Sequence, residues 1–345
     1  MPITFSDILG QDSAIQSLRD AYRADRMPHA MLFAGPVGVG KATTARALGA
    51  LWLCEKPKGD AACGKCESCR LFDAGNHPDF HVIVKELIRY HDRTGKSKGI
   101  DLSIHVIRPE LIAKAAMKPA MGRGKVFVIE QAELLNNEAA NAMLKTLEEP
   151  PGRTIIILLT DQPGLLLPTI RSRCRTIQFA SLSDDLVKSA LKKRKLEPGV
   201  VASATTFADG SLGLALKWIE DGVIESALDL TKQLDGLIEG QPAPALADWF
   251  RKSAEAYAEK QLERDELASK DQATREGLTT YLKLAAQRFR RELESSDDPD
   301  VLERAASAID AIVRAEDYLD SNVNVALTLQ QLTISLERAF APQEV

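Results

Sequence analysis

The sequence predicts an α/β fold: a five-stranded parallel sheet bearing a phosphate-binding loop, with a cysteine-rich insertion, followed by an all-helical remainder. Three observations carry this. Short apolar runs alternate with helical stretches through roughly the first 180 residues, as in a parallel sheet covered on both faces. The first run, Ala30-Met31-Leu32-Phe33, leads into Gly35-Pro36-Val37-Gly38-Val39-Gly40-Lys41-Ala42, and a helical stretch from Thr43 to Leu53 leads out. Beyond about residue 180 the strand signals stop and helical periodicity takes over.

The chain has 345 residues, 45% of them hydrophobic and 27% charged, with a formal net charge of −5. That balance excludes a basic nucleic-acid binder at the level of the whole chain, so any nucleic-acid contact is a local patch or is made in company. No apolar run approaches the length of a membrane span. The opening residues lack signal-peptide character, so a cytoplasmic location is expected.

The elements follow in order. Ile8 to Arg23 reads as an amphipathic helix, with Ile8, Ile15, Leu18 and Ala21 at helical spacing. Met27-Pro28-His29 breaks it before the first strand. Asn76-His77-Pro78-Asp79 reads as a turn before a strand over Phe80 to Val84. Residues 90 to 101 read as a polar loop, and Val106 to Met117 as a helix. Lys125 to Ile129 is a buried-type strand, Asn136 or Asn137 can cap a helix running to Glu149, and Pro150-Pro151 stops it. Thr154 to Leu159 and Thr176 to Phe179 complete the sheet. Leu182 to Ile219 is a small helical group. From Glu220 onward the pattern is helical, with joints at 240–244 and 295–299, and the charged stretch Glu255 to Arg275 reads as a solvated helix face.

Four features carry chemistry. In the phosphate loop, glycines let backbone N–H groups converge on an anion, the helix N-terminus adds its dipole, and Lys41 reaches the β- and γ-phosphates. The magnesium-holding hydroxyl expected next is missing, because that position is Ala42; Thr43 or water are the substitutes at hand. The acidic pair expected after a later strand reads Glu130-Gln131. Glu130 keeps a carboxylate for the metal, but Gln131 cannot accept a proton, and loss of a positioned general base costs about 10²- to 10⁴-fold in rate. Whether the loop holds nucleotide stays open; weak or absent hydrolysis is expected.

Cys54, Cys63, Cys66 and Cys69 fall within sixteen residues. Four thiolates on one tetrahedral ion make a closed structural zinc site, with free thiols or an iron–sulfur cluster as the alternatives. His77 is an outside candidate ligand. Cys174 reads as a buried small apolar residue. Arg171 and Arg173 sit at the carboxyl edge of the sheet, where an arginine can be structural, touch its own nucleotide, or reach a neighbour's. Thr160 ends its strand at the same edge.

Together these marks carry a resemblance. Ile8-Leu-Gly-Gln11, His29-Ala30, the glycine loop, the four cysteines, the run from Asn137 to Pro151 and Leu165-Leu-Leu-Pro-Thr-Ile-Arg-Ser-Arg-Cys174 closely resemble the clamp-loader branch of the AAA+ ATPases. The resemblance covers about residues 5 to 215 specifically, and the rest loosely, including Leu319 to Asn324. It implies an AAA+ core over 1–180 with a zinc module at about 54–69, a helical lid over 181–219, and a helical collar over 220–345. It implies a subunit of a DNA-directed DNA polymerase (nucleotidyltransferase) complex: a heteropentamer with delta- and gamma/tau-type partners that uses ATP to place a sliding clamp on primer-template DNA. ATP or ADP would lie against Gly35, Gly38, Gly40, Lys41, Ala42, Thr43, Glu130 and Thr160 (sensor 1), with magnesium in doubt. Arg173 would act in trans on a neighbour's ATP.

Gly213 stands where ATP-hydrolysing relatives carry a sensor arginine. The losses at Ala42, Gln131 and Gly213 fall on this chain's own site, while Arg173 is kept, which implies a stator. A self-sufficient gamma/tau-type motor is the alternative, and a DNA-binding zinc module on a vestigial nucleotide fold is a third reading.

Overall fold

The computed structural model describes residues 2–91, 101–264, 269–321 and 323–341. Most of the expected polar loop, part of the charged stretch 255–275 and position 322 lie outside them. The chain divides into two compact units, one comprising residues 1–194 and 209–214, the other 195–208 and 215–345.

The first unit is built on a parallel sheet of β1 (Ala30–Ala34), β2 (Phe80–Ile83), β3 (Lys125–Ile129), β4 (Thr154–Thr160) and β5 (Arg175–Gln178), in the order β2-β3-β4-β1-β5. Every residue of β1, β3 and β4 is buried, which is why these strands read as unbroken apolar runs. Alternation still operates, because the two faces feed separate cores. Met31, Phe33, Val126, Val128, Ile155 and Ile157 point to the side covered by α1 (Asp12–Arg23) and α2 (Lys41–Leu53). Leu32, Phe127, Ile129, Ile156 and Leu158 point to the side covered by residues 104–116 and by α4 (Asn137–Glu148), which follows α3 (Glu67–Asp73) of the cysteine insertion in the chain. Full burial of each such side chain stabilises by about 1.5–3 kcal/mol.

Two helices differ from expectation, and a third starts at one of its two expected caps. The first starts at Asp12 rather than Ile8, after a 3₁₀ turn at Phe5–Asp7 and a left-handed Gly10 (φ 65°). The spacing of Ile8 is helical, but Gly10 packs under Leu182, where a Cβ would stand 2.6 Å from its Cδ2. The helix over 104–116 contains π-helical turns at Arg108–Ala113, with Pro109 near their start. The cap of α4 is Asn136, whose side chain accepts from the Ala139 N–H at 2.9 Å.

On β2, His81 stacks on Phe127 (centroids 4.8 Å apart). Burial pushes its imidazole down to about 4, and Lys114 and Lys125 add to the shift. The unfolded value is near 6.5, so the folded chain binds fewer protons between those limits. Stability is complete above about pH 6.5 and declines as pH falls towards 4. His81→Phe is expected to flatten this decline, read as a smaller loss of Tm between pH 7 and pH 4.5.

The second unit is helical. Its long members are Val223–Ile238, Leu246–Arg264, Lys270–Ser295, Pro299–Asp320 and Val325–Phe340. Phe250, Leu278, Leu282, Phe289 and Leu336 are fully buried, and Phe289 stacks on Phe340 at 5.4 Å. Gly277 lets its helix approach the backbone of Ala254, where a Cβ would sit 3.0 Å from the Ala254 Cα. The joints fall where Gly and Pro place them: Gly240 is left-handed, and Pro299 opens its helix behind the Asp298 cap. No described helix is long and apolar enough to cross a membrane.

Candidate functional site: the phosphate loop, the cysteine cluster and the edge arginine

The phosphate loop joins β1 to α2 at the carboxyl edge of the sheet, where open α/β sheets place their ligands. Lys41 is buried, and its Nζ donates to the carbonyls of Gly35 and of Pro36, the latter at 2.6 Å. The Thr44 hydroxyl donates to the Gly40 carbonyl at 2.9 Å, and the Gly35 N–H donates to the Thr160 carbonyl at 3.2 Å, tying the loop to β4. Ala42 is exposed and Thr43 half-buried on the first turn of α2.

Gln11 holds the loop from outside the sheet. Its buried amide donates to the carbonyls of Val39 (3.2 Å) and Ala180 (2.7 Å) and accepts from the Ala180 N–H (3.1 Å). No local pattern marks Gln11 for this, because both partners are remote in sequence.

The segment 209–214 also seats on the loop. The Gly213 N–H donates to the Gly38 carbonyl at 2.8 Å, and a Cβ on Gly213 would stand 2.7 Å from the Gly38 Cα. Gly38 is itself left-handed (φ 72°), and a Cβ there would meet the Ser211 hydroxyl at 2.3 Å. Position 213 has no room for a side chain in this arrangement. Gly213→Arg is expected to unseat the segment and lower stability by about 1–3 kcal/mol, as overpacking does; denaturant melts check it.

The acidic residues divide in two. Glu130 follows β3, half-buried, and its charged neighbours are Glu86 and Arg46 of α2; burial raises its carboxyl, Glu86 adds to this, and Arg46 opposes it. Gln131 is exposed and left-handed (φ 50°), a costly conformation for a residue with a Cβ. Beyond this turn Glu133 comes back towards the end of β4. It lies against the Thr160 hydroxyl and Asp161, and its Oε2 is buried with no hydrogen-bond partner among the described residues. Burial raises its carboxyl. Burial lowers the ammonium of Lys41, against the pull of Asp161 and then Glu133. Glu133 was not singled out from sequence, because the expected carboxylate position after β3 falls on Glu130 and Gln131; only the left-handed turn at Gln131 sends a later acid back to the loop.

Cys54 ends α2, Cys66 caps α3 and Cys69 lies within it. The four sulfurs all lie within 4.8 Å of one another. Cys54 to Cys66 is 4.0 Å, Cys63 to Cys69 3.9 Å and Cys54 to Cys69 3.6 Å. An ion with four sulfurs at about 2.3 Å needs tetrahedral edges near about 3.8 Å, so the set can hold one metal ion. Backbone N–H groups of Lys65 and Cys66 donate to the Cys63 sulfur and pull its thiol down to about 6. Burial raises Cys54 and Cys69.

His77 lies outside the four-sulfur group. Its Nδ1 accepts from the Asp79 N–H (3.1 Å), so Nε2 carries the proton and donates to Ser68, whose hydroxyl donates to the Leu53 carbonyl (2.8 Å). It therefore braces α3 against the end of α2. Asp79 accepts from the N–H groups of Ala120 and Met121, both at 2.8 Å, so the expected turn is also a buried anchor.

Arg173 follows the single turn Pro168–Arg171 and precedes β5, whose first residue pairs with Met31 near the start of β1, so both arginines lie at the amino edge of the sheet and not at the expected carboxyl edge. Its Nε and Nη2 meet the Glu148 carboxylate at 2.6 and 2.5 Å, and Nη1 donates to the Thr169 carbonyl at 3.0 Å. The side chain remains 31% exposed, so the guanidinium is oriented yet accessible. Arg171 is exposed, and Cys174 is half-buried, with burial raising its thiol to about 12.

A parallel sheet in this order, with a phosphate loop after β1 and an oriented arginine just ahead of β5, is an AAA+-type core. The family model described as "DNA polymerase III, delta subunit" matches residues 10–183. DNA polymerase III subunit delta' of Pseudomonas aeruginosa is 32% identical over 239 residues, 64% of this chain and 69% of that one. The corresponding subunit of Escherichia coli K12 is 35% identical over 202 residues, 58% of this chain and 57% of that one. Subunit tau/gamma of Haemophilus influenzae is 32% identical over 67% of this chain and 31% of its own length. A gamma subunit-related protein of Thermotoga maritima aligns in structure over 93% of this chain and 99% of that one, with a TM-score of 0.47 and 18% identity. The chain belongs to the delta-prime family of DNA polymerase III clamp-loader subunits.

Proposed function

We propose that this chain is the stator of its clamp loader, with little or no ATP hydrolysis of its own, and that it donates Arg173 to the ATP site of a neighbouring gamma/tau-type subunit. One observation supports this above others: Arg173 is held in a fixed direction by Glu148 and Thr169 while still open to a partner. At the chain's own loop the complement is gone, since Ala42 has no hydroxyl, Gln131 is no base, and Gly213 leaves no room for an arginine.

The remaining assignments rest on the same reading. The cysteine cluster holds structural zinc, for which four thiolates and no open position are suited. Gly35, Gly38, Gly40 and Lys41 retain affinity for ADP or ATP, with Thr160 at the sensor position. A core over 1–180, a lid over 181–219 and a collar over 220–345 assemble with delta- and gamma/tau-type subunits into a pentamer that acts on a sliding clamp and primer-template DNA in the cytoplasm.

Reconstituting the loader with Arg173→Ala and, separately, Lys41→Ala tests the proposal: the first should cripple ATPase activity and the second barely change it. The similarity to tau/gamma chains favours a second reading, a self-sufficient motor. Steady ATP turnover by the purified subunit alone would support that one.

A further inference from the structure

We propose that Glu133 makes the phosphate loop of this chain selective for nucleoside diphosphates over triphosphates. The inference rests on the reading that the loop still holds nucleotide, and it concerns what kind. The groups that receive α- and β-phosphates are intact: the loop glycines, the N-terminus of α2 and Lys41, which spans the β- and γ-positions and here donates to the Gly35 and Pro36 carbonyls. Apart from Lys41, the groups that would receive a third phosphate are missing or reversed in charge. Ala42 offers no hydroxyl for magnesium. Gly213 offers no cation and packs its backbone on Gly38.

At Thr160, beside the loop, stand two carboxylates, Glu133 and Asp161, and Lys41 already faces both. One oxygen of Glu133 is shielded from water and bonded to nothing among the described residues, so its field is weakly screened. A γ-phosphate arriving there meets like charge with no cation beyond Lys41, which already faces the two carboxylates. A diphosphate stops short of it.

Calorimetry on the purified full chain, with ADP and ATP each titrated with and without magnesium, tests this. Wild type is expected to bind ADP at least about tenfold more tightly than ATP. Glu133→Gln keeps shape and removes charge, and is expected to bring the ratio towards unity. Glu138→Gln, an exposed acid on α4, should leave the ratio unchanged. Equal affinities in wild type, no binding of either nucleotide at millimolar concentration, or a ratio that Glu133→Gln leaves intact would each overturn the proposal. The wild-type ratio needs no variant, so it decides even if Glu133→Gln folds poorly. These binding ratios are independent of the Arg173 assay, so either idea can fail without the other.

Discussion

Arg173→Ala is expected to lower the ATPase rate of the reconstituted loader by about 10³- to 10⁵-fold at the site it serves, the range for arginines supplied in trans to phosphoryl transfer. The size follows from where the charge goes. An arginine aimed at the transferring phosphoryl acts only in the transition state, so its loss falls on kcat rather than on nucleotide binding. The geometry adds a second expectation. Glu148 and Thr169 fix three guanidinium nitrogens, which a lysine cannot reproduce, so Arg173→Lys should behave nearly as Arg173→Ala. Lys41→Ala should change the complex rate by less than about twofold if, as proposed, this loop turns over little or no ATP. The opposite pattern, with Lys41 essential and Arg173 dispensable, would sink the stator assignment.

Loss of the metal is expected to have the largest effect on stability. Apparent zinc binding by such four-ligand sites is worth about 10–16 kcal/mol, and in a folded module that energy is folding energy. The cluster joins the end of α2 to α3, and the packing beyond depends on that junction. Phe72 of α3 packs tilted against Phe80, with ring centroids 4.6 Å apart, and Phe80 lies so close to Gly49 of α2 that a Cβ there would meet it at 2.5 Å. Releasing a bound ion is therefore expected to loosen α3, the edge strand β2 and one face of α2 together.

Elemental analysis should find about one zinc per chain. Chelation should produce a separate low-temperature transition, with Cys54→Ser and Cys69→Ser more damaging than Cys63→Ser because the first two sulfurs are buried. Metal-free protein that melts like the parent would refute the site.

Much of the first unit was legible in the sequence. The strands read correctly to within a residue or so: β1, β3 and β4 are short apolar runs bounded by Gly, Pro or polar turns, a pattern set by burial on both faces, while the edge strands β2 and β5 are only partly buried. The cysteine set was legible because its spacing is short. Arg173 was legible through a motif, but its tether was not. Glu148 lies twenty-five positions away on another helix, and nothing local pairs them. Ile8 misled for the converse reason: its helical spacing is real, but Gly10 must turn left to pass beneath Leu182.

The phosphate loop shows the division most clearly. The residues 35 to 42 alone determined that a phosphate cradle forms between a strand and a helix, since glycine conformation and a helix N-terminus are local properties. They also determined that it lacks a magnesium-holding hydroxyl. Only the tertiary structure decided what surrounds the cradle: Gln11 clamping Val39, Gly213 seated on Gly38, and Glu133 turned past Gln131 towards Lys41 and Thr160. These contacts join segments many tens of residues apart, and their geometry is set by the packing of helices against the sheet. The charge that faces the loop is thus a property of the fold and not of the motif.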